Sequence, residues 1–314
     1  MTAVAAIDCG TNAIRLLIAE AAPDEPPQPR LRLMRIVRLG EGVDATGAFN
    51  AAAIQRTMLA IDEYAELLRD ANVQRLRFVA TSASRDVRDR RPLLDGAFAR
   101  LGVYPEVISA AEEARLSFSG AVNGLPEAVL PTHPVVVDIG GGSTEFVTTV
   151  DGALGSVSID VGCVRLAERH LAHESRAAAT AQQVHAIRAD VRALMPTVVE
   201  RLPQARQPVV IGVAGTVTTV VAMSLGLDSY DEERIHGASI TLGQAVAVAE
   251  TLTAMTRAQR AALPFMHPGR VDVITAGAWV LVEAMSGVNA DTVIAAETDI
   301  LDGIVTELGS SLPT

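Results

Sequence analysis

Apolar residues along the first half of the chain alternate between short runs and a helical repeat. The short runs predict strands at residues 3–8, 14–20, 31–39, 76–80 and 106–108. Ile54, Met58 and Ile61 recur at helical spacing, which predicts an amphipathic helix over residues 51–70. Further helices are expected up to about residue 101 and from Glu112 onward. Strands that alternate with helices in this way indicate an α/β fold.

The second half of the chain repeats this order. Its apolar runs predict strands at residues 135–138, 144–150, 154–159, 209–213 and 292–295. The predicted helices are 179–200, 242–255, 269–284, one that begins at Cys163, one that starts near Thr216 and one that closes the chain. Between the halves, glycine and prolines interrupt the pattern at residues 123–134. We therefore expect two domains of one duplicated fold, residues 1–124 and 125–314, with the functional site in the cleft between them.

One local pattern occurs in both halves. Asp8 and Gly10 follow the first apolar run, and Asp138 and Gly140 follow the run that opens the second half. Each segment predicts a strand, a tight turn and a second strand. Such a turn presents backbone N–H groups to a phosphate, and its acid is placed to meet a metal ion. Two turns of this kind that face each other would hold a phosphate chain from both sides.

Composition and charge narrow the class of protein. The 314 residues are 49% hydrophobic and 3% aromatic, which is typical of a globular core built from aliphatic side chains. A net charge of −11 argues against nucleic acid or an anionic membrane as the main partner. The uncharged stretch 208–227 has the length of a membrane span, but its glycines and threonines divide it into a strand, a turn and a helix start.

The N-terminal residues and the cysteines bear on the cellular compartment in which the protein is expected. No signal peptide is visible at the N terminus, so we expect a cytoplasmic protein. The two cysteines, Cys9 and Cys163, agree with a reducing environment. Cys9 lies beside the first turn, where a small buried apolar residue is favoured over a nucleophile.

Several motifs occur in the order found in one enzyme family. They are Asp8-Cys9-Gly10-Thr11-Asn12, Thr81-Ser82-Ala83-Ser84-Arg85-Asp86, Glu106-Val107-Ile108-Ser109 with Glu112-Glu113-Ala114-Arg115, Asp138-Ile139-Gly140-Gly141-Gly142-Ser143-Thr144-Glu145, and Gly212-Val213-Ala214-Gly215-Thr216. Over about residues 5–303 the chain resembles the exopolyphosphatase and guanosine pentaphosphate phosphatase (Ppx/GppA) family. The resemblance implies a duplicated ribonuclease H-like fold of the actin, hexokinase and heat-shock chaperone superfamily.

With this resemblance, the glycine turns are expected to bind phosphate. The backbone N–H groups expected to cradle terminal phosphates are those of Gly10, Thr11, Asn12, Gly141, Gly142, Ser143 and Thr144. Gly215 and Thr216 precede a helix start, which adds a third anion site at a helix N terminus. The alternative interpretation of the two turns is a pair of ordinary hairpins.

The acids of the second turn are expected to bind a metal ion. Asp138 and Glu145 lie on either side of its glycines, and both are expected to coordinate Mg²⁺, with Mn²⁺ as an alternative metal. Asp8 is expected to contribute through water. The alternative for Asp138 and Glu145 is a turn-capping aspartate and an exposed strand glutamate.

Three further charged residues are expected to serve catalysis. In the resemblance, Glu113 matches the general base, and Arg85 and Arg270 match positions near the bound phosphates. An acid at a helix start is also favoured by the helix macrodipole, and Glu112 is interpreted as the capping or solvated acid. The chain departs from the family pattern at Ala13, where a serine is common in the first turn.

These features predict a Mg²⁺-dependent exopolyphosphatase that releases the terminal orthophosphate of inorganic polyphosphate. The closest alternative is a guanosine pentaphosphate 5′-phosphatase, since the same residues would cleave either terminal anhydride. Alternatives of another class are an ATP-dependent kinase and a non-catalytic nucleotide or polyphosphate sensor of the same superfamily. The expected partner is polyphosphate or guanosine pentaphosphate, with no nucleic acid and no membrane, and a homodimer is an open alternative.

Overall fold

The computed structural model describes residues 1–23, 25–150, 152–171, 177–203 and 208–312. The strands are β1 (Thr2–Cys9), β2 (Ala13–Ala21), β3 (Gln28–Ile36), β4 (Arg75–Ala80), β5 (Glu106–Val107), β6 (Pro134–Ile139), β7 (Thr144–Val150), β8 (Ala153–Ile159), β9 (Val209–Val213), β10 (Ser239–Thr241) and β11 (Thr292–Ala295). The helices are α1 (Val43–Thr46), α2 (Ala51–Asp70), α3 (Ser82–Asp86), α4 (Arg91–Leu101), α5 (Ala110–Gly124), α6 (Cys163–His170), α7 (Ala181–Arg201), α8 (Ala214–Ser224), α9 (Glu232–Ile235), α10 (Leu242–Ala254), α11 (Arg257–Ala261), α12 (Ile274–Gly287) and α13 (Ile300–Ser310).

The chain divides into two compact units. Unit 1 comprises Met1–Gly120 and Asp299–Thr314, and unit 2 comprises Ala121–Thr298. The boundary expected after residue 124 therefore lies a few residues beyond the observed one, near the end of α5. A larger difference concerns α13, which the sequence places with the second domain and the structure places in unit 1.

The reason lies in the packing of α13. Ile300, Leu301 and Ile304 of this helix share one buried cluster with side chains of β1 and β2. Burying an apolar helix face removes its surface from water, so the helix is stabilised on the sheet that covers that face. A hydrophobic pattern shows that such a face exists, and it does not show which sheet the face meets.

The unit 1 sheet has the strand order β3-β2-β1-β4-β5. β1 pairs antiparallel with β2 and parallel with β4. Both faces of β1 are covered, because Ala5 and Ile7 pack in the cluster of α2 and α4 while Val4 and Ala6 pack in the cluster of α13. Successive side chains of a strand point to opposite faces, so a strand covered on both sides reads as one continuous apolar run.

The unit 2 sheet repeats this arrangement. Its order is β10-β11-β9-β6-β7-β8, so β8-β7-β6-β9-β11 follows the order and directions of β3-β2-β1-β4-β5. The duplicated α/β fold of ribonuclease H-like topology is thereby confirmed. β10 is an additional edge strand that pairs antiparallel with β11. With three residues it is too short to show the alternation by which strands are predicted, and the sequence gives no sign of it.

Two further expectations concern helices. The stretch 208–227 forms the expected strand and helix, but α8 begins at Ala214 directly after β9, so residues 214–216 are the first turn of the helix instead of a separate turn. Over the described ranges no helix is both long and apolar enough to cross a membrane. The helix expected over 269–284 is divided: Pro268–Arg270 form a single 3₁₀ turn, and α12 begins at Ile274. That division places Arg270 in the turn that leads into α12.

Candidate active site

The first glycine turn joins β1 to β2 and is closed by its own backbone. The amide of Gly10 donates to the carbonyl oxygen of Ala13 at 2.9 Å. The carbonyl oxygen of Thr11 accepts from the Gly40 amide, and that of Asn12 accepts from the Val37 amide. Within the described part of the chain, the amides of Thr11 and Asn12 donate no hydrogen bond. Backbone amides that follow β3 therefore engage these carbonyl groups, and two amides of the turn remain available to an anion.

The second glycine turn, between β6 and β7, is closed by the equivalent bond. The Gly140 amide donates to the carbonyl oxygen of Ser143 at 3.0 Å. Over the residues that the structure describes, the amides of Gly141, Gly142 and Ser143 donate no hydrogen bond. This turn thus presents a row of amides, as expected. The side chain of Thr144 has an internal partner, because its hydroxyl group donates a hydrogen bond to the Val161 carbonyl oxygen.

The N terminus of α6 holds the second turn in this shape. The amide of Cys163 donates to the carbonyl oxygen of Gly140 at 3.0 Å, and the amide of Val164 donates to that of Gly141 at 2.9 Å. The Arg165 side chain donates from Nε to the carbonyl oxygen of Gly142 at 2.8 Å. A Cβ added at Gly162 would lie 2.5 Å from the Gly141 carbonyl group, so only glycine allows this close approach.

A salt bridge engages the acid of the first turn. Asp8 lies directly opposite Arg15 in the β1–β2 ladder, and its Oδ2 accepts from Arg15 Nε at 3.0 Å and from Nη2 at 2.5 Å. Arg15 Nη1 also pairs with Asp299. Burial raises the pKa of Asp8, and the attraction of Arg15 only partly offsets that effect. Asp8 thus has a cationic partner at Oδ2, while its buried Oδ1 has no hydrogen-bond partner in the described structure. The water-mediated metal contact expected for Asp8 stays a prediction.

The acid of the second turn faces another acid. Asp138 lies opposite Glu145 in the β6–β7 ladder, and Glu145 lies opposite Ser158 in the β7–β8 ladder. Ser158 Oγ donates to Glu145 Oε1 at 2.8 Å. Both carboxylates are buried, and Glu145 is 1% exposed. Glu145 is therefore a buried member of an acid pair, which the alternative of an exposed strand glutamate does not describe.

This acid pair has the composition of a magnesium site that depends on substrate. Across residues 1–23, 25–150, 152–171, 177–203 and 208–312, no group of three or more His, Cys, Asp or Glu side chains is arranged to hold a metal ion. Mg²⁺ does not require such a cage, because it commonly binds one or two carboxylates together with phosphate oxygens and water. The Ser143 hydroxyl, buried in the second turn without a hydrogen-bond partner in the described structure, adds a polar atom there. These residues fit Mg²⁺.

Glu113 and Arg85 form an ion pair in unit 1. Arg85 is the penultimate residue of the short helix α3, which directly follows β4, and Glu113 lies in the first turn of α5. Arg85 Nη1 donates to Glu113 Oε2 at 2.7 Å and to the carbonyl oxygen of Ile108 at 3.2 Å. Glu113 is buried. The two residues that the sequence assigns to catalysis in this half are thus brought into direct contact.

The neighbouring acid Glu112 has different partners. It receives hydrogen bonds from Arg115 and Arg77, and these two guanidinium groups, Arg115 above all, lower the pKa of Glu112. Its amide donates to Ser109 Oγ at the start of α5. Glu112 is therefore held in a surface ion-pair cluster, which agrees with its interpretation as the capping or solvated acid.

Arg270 lies against the N terminus of α8 in unit 2. A Cβ added at Gly215 would be 2.3 Å from Arg270 Cζ, so the guanidinium group rests directly on this glycine. Arg270 Nη1 donates to Thr219 Oγ1 at 3.0 Å. Ala214, the first residue of α8, has a φ of 67°, a strained value for alanine. In the part of the chain that the structure describes, Arg270 pairs with no carboxylate.

The first turn of α8 is therefore an electropositive site. No side chain caps its N terminus, and in the described structure the amides of Gly215 and Thr216 donate no hydrogen bond. The positive end of the helix dipole and the Arg270 guanidinium group both favour a bound anion. Gly215, Thr216 and Arg270, which the sequence assigned separately, are thus adjacent within unit 2.

The sequence interpretation did not include Arg15 or Ser158. A signal for Arg15 existed, because it follows Asp8 at the spacing by which Glu145 follows Asp138. Equal spacing across equivalent tight turns places the two residues at the same register position, opposite the acid. Ser158 has no such local signal, since its contact with Glu145 depends on the pairing of β7 with β8.

Comparisons with known proteins agree with this arrangement. Residues 17–311 match the model of the Ppx/GppA phosphatase family. The chain is 45% identical to exopolyphosphatase 2 of Mycobacterium tuberculosis, and the alignment covers 98% of this chain and 99% of that protein. A crystal structure of an exopolyphosphatase-like protein is 38% identical and covers 98% of each chain, with a TM-score of 0.92.

A second solved structure extends the comparison to a more distant relative. The crystal structure of the Aquifex aeolicus member of the Ppx/GppA family is 26% identical, covers 100% of this chain and 99% of that chain, and has a TM-score of 0.80. The family model and the nearly full-length similarity lead to the same assignment. The chain belongs to the Ppx/GppA phosphatase family.

Proposed function

We propose that this protein is a cytoplasmic exopolyphosphatase that hydrolyses the terminal phosphoanhydride bond of inorganic polyphosphate and releases orthophosphate. One observation carries the proposal: each unit contains a glycine turn whose amides are available to an anion and whose preceding strand ends near a buried acid. The nearly full-length similarity to a named exopolyphosphatase supports the same reaction. A terminal phosphate carries several charged oxygens, and rows of backbone amides match that chemistry.

Glu113 is the proposed general base. Hydrolysis requires a group that accepts a proton from water as the water attacks the terminal phosphorus. The Glu113 carboxylate is buried, and Arg85 orients it through Nη1 at 2.7 Å. The same guanidinium nitrogen contacts the Ile108 carbonyl oxygen, so its position is set by the backbone as well. Arg85 is therefore proposed to orient the base, and its positive charge also favours a nearby phosphate.

Asp138 and Glu145 are the residues proposed to hold Mg²⁺, with Mn²⁺ as the alternative. The metal would supply positive charge to the phosphate oxygens on which charge develops. Within the chain, Ser158 Oγ donates to Glu145 Oε1 at 2.8 Å and so orients this carboxylate. The buried position of both acids excludes bulk water, which strengthens their attraction for a cation.

Arg270 and the N terminus of α8 are proposed to bind a further phosphate of the substrate. The amides of Gly215 and Thr216 offer donors, and Arg270 adds a charge that no carboxylate in the described structure neutralises. Arginine is suited to this task because its planar guanidinium group can contact two phosphate oxygens at once. Among the arginines of unit 1, Arg91 pairs with Asp89 and is accordingly a weaker candidate for the same role.

Release of orthophosphate from a panel of substrates tests the proposal. The panel contains tripolyphosphate, polyphosphates of defined medium and long chain length, guanosine pentaphosphate and ATP, each with and without Mg²⁺. We expect Mg²⁺-dependent release from polyphosphate at a higher kcat/KM than from ATP. A higher kcat/KM on guanosine pentaphosphate than on polyphosphate would identify the protein as a guanosine pentaphosphate 5′-phosphatase instead. Binding of polyphosphate with no release from any substrate would overturn the enzyme assignment in favour of a sensor.

A further inference from the structure

Tyr230 is a half-buried residue of unit 2 that no step of the proposed reaction uses. It lies between α8 and α9, and its hydroxyl group is 2.7 Å from Thr218 Oγ1 and 2.7 Å from Glu297 Oε1. Burial, and to a lesser degree the negative charge of Glu297, raise the pKa of Tyr230, so the phenol keeps its proton. The hydroxyl then donates to the carboxylate of Glu297 and accepts from Thr218, which fixes the ring at its polar end.

The face of this ring meets Arg270. Arg270 Cζ lies 5.8 Å from the centroid of the Tyr230 ring, within the range of a cation–π contact. The guanidinium group also rests on Gly215 and donates to Thr219 Oγ1. Thr218 and Thr219 are neighbours on α8, so one residue fixes the tyrosine and the next fixes the arginine.

These contacts position the guanidinium group and leave its charge intact. A carboxylate partner would also hold Arg270, but it would neutralise the charge that attracts phosphate. Glycine, a threonine hydroxyl and an aromatic face carry no full charge, so they orient the guanidinium group without neutralising it. A side chain with this many rotatable bonds otherwise loses rotamer entropy when substrate binds, and preorganisation reduces that loss.

We propose that Tyr230 is a positioning residue that preorganises Arg270 for binding of a substrate phosphate. The inference rests on the proposed function in that the phosphate belongs to the exopolyphosphatase substrate. Tyr230 acts through Arg270 and does not touch the reacting atoms. Its contribution is expected in the binding of substrate, and the attack of water on the terminal phosphorus is expected to be unaffected.

Two substitutions of Tyr230 separate the ring from the hydroxyl. Tyr230→Leu removes the aromatic face, and we expect KM for tripolyphosphate to rise about fivefold with kcat within about twofold of wild type. Tyr230→Phe keeps the face and loses the hydroxyl anchor, so we expect a rise of about threefold. Tyr104→Leu is the matched control, because this exposed tyrosine of unit 1 stacks on Phe98 and should leave KM unchanged. If the leucine variant does not fold, the phenylalanine variant carries the test.

A double-mutant cycle with Arg270→Ala distinguishes positioning from a general structural effect. We expect Tyr230→Leu to raise KM in the wild-type background and to add less than about twofold in the Arg270→Ala background, since the group that it positions is absent. The affinity for tripolyphosphate, measured by calorimetry in the Glu113→Gln background to keep turnover slow, should follow the same pattern. Equal effects in both backgrounds, or a fall in kcat at unchanged KM, would overturn the inference. Failure of wild-type protein to release phosphate from polyphosphate would instead overturn the proposed function.

Discussion

The two glycine turns have the same backbone hydrogen bonding, but the residue opposite the acid is a cation in the first turn and an anion in the second. Each four-residue turn is closed by a backbone hydrogen bond, in which the Gly10 amide donates to the Ala13 carbonyl oxygen and the Gly140 amide donates to the Ser143 carbonyl oxygen. Each presents amides that no group in the described structure uses. The residue opposite the acid differs, because Asp8 faces Arg15 and Asp138 faces Glu145. One turn thus carries its own cation, whereas the other carries two acids side by side.

The comparison separates two properties of the fold. Anion binding depends on the backbone of the turn, which both copies keep, and it requires only small residues at the closest approach. The proposed metal site depends in addition on the residue opposite the acid in the second strand, and this residue differs between the copies. At that position the first copy has Arg15, which pairs with Asp8, and the second has Glu145, while the order of the equivalent strands is the same. We therefore expect the two turns to respond differently to matched substitutions.

The largest effect is expected at Glu113, the acid that pairs with Arg85 in unit 1. Glu113→Gln removes the base and keeps the shape of the side chain, so kcat on polyphosphate should fall by about 10²–10⁴-fold. The melting temperature and KM should stay close to wild type. Steady-state phosphate release and thermal unfolding measure these quantities.

Glu112→Gln is the matched control for this prediction. It removes the neighbouring acid, whose partners are Arg77 and Arg115 at the surface, and should leave kcat within about twofold of wild type. A Glu113→Gln enzyme with wild-type kcat would remove Glu113 from the mechanism. Equal losses of kcat in the Glu112→Gln and Glu113→Gln variants would show that the two acids stabilise the start of α5 and do not take part in the chemistry.

A stability effect is expected when the cation of the first turn is removed. Arg15→Met separates the buried Asp8 and Asp299 from their shared guanidinium group. Loss of one partner of a buried pair is costly, and because Arg15 keeps 21% exposure we expect about 2–3 kcal/mol. Arg30→Met is the control, since its pair with Glu20 is exposed and should contribute less than about 1 kcal/mol. Urea unfolding of the three proteins measures the difference.

The pH dependence of this loss has a defined sign. Burial already raises the pKa of Asp8 in the folded protein above its ordinary value of 3.8. A raised acid pKa contributes stability below that ordinary value and loses it as pH rises through the folded value. Removal of Arg15 raises the folded pKa further, so the destabilisation should be small near pH 4 and larger at pH 7. A deficit that shrinks between pH 4 and pH 7 would contradict the electrostatic origin.

Local patterns explain how much of this arrangement the sequence predicts. Apart from β10, the strands of both sheets and the two turns follow from apolar runs and glycine positions, which act over a few residues. The equivalence of Asp8 and Asp138 follows from the same local repeat. The assignment of α13 to unit 1 does not, because it depends on which apolar face Ile300 and Leu301 meet. The role proposed for Tyr230 could not be predicted from local sequence patterns either, since its partners Glu297 and Arg270 are far away in sequence.

The Mg²⁺ requirement tests the contrast between the turns directly. Asp138→Asn and Glu145→Gln each remove a proposed ligand, and we expect the Mg²⁺ concentration for half-maximal activity to rise by at least about tenfold. Asp8→Asn removes the acid that Arg15 already neutralises, and it should leave that concentration within about twofold of wild type. The measurement is a Mg²⁺ titration of phosphate release at saturating polyphosphate. An equal shift for Asp8→Asn would break the comparison, because both turns would then contribute to the metal site.

The smallest effect is expected at Arg270, a cation that has no carboxylate partner in the described part of unit 2. If Arg270 binds a phosphate beyond the terminal one, only substrates with such a phosphate benefit from it. Arg270→Ala should then lower kcat/KM about tenfold on medium-length polyphosphate and about threefold or less on a small terminal anhydride such as pyrophosphate. Added salt screens a charge contact, so the wild-type KM for polyphosphate should rise with ionic strength and the KM of the variant should rise less. Equal losses on both substrates would place Arg270 at the reacting phosphate, where it would stabilise the transition state instead of the chain.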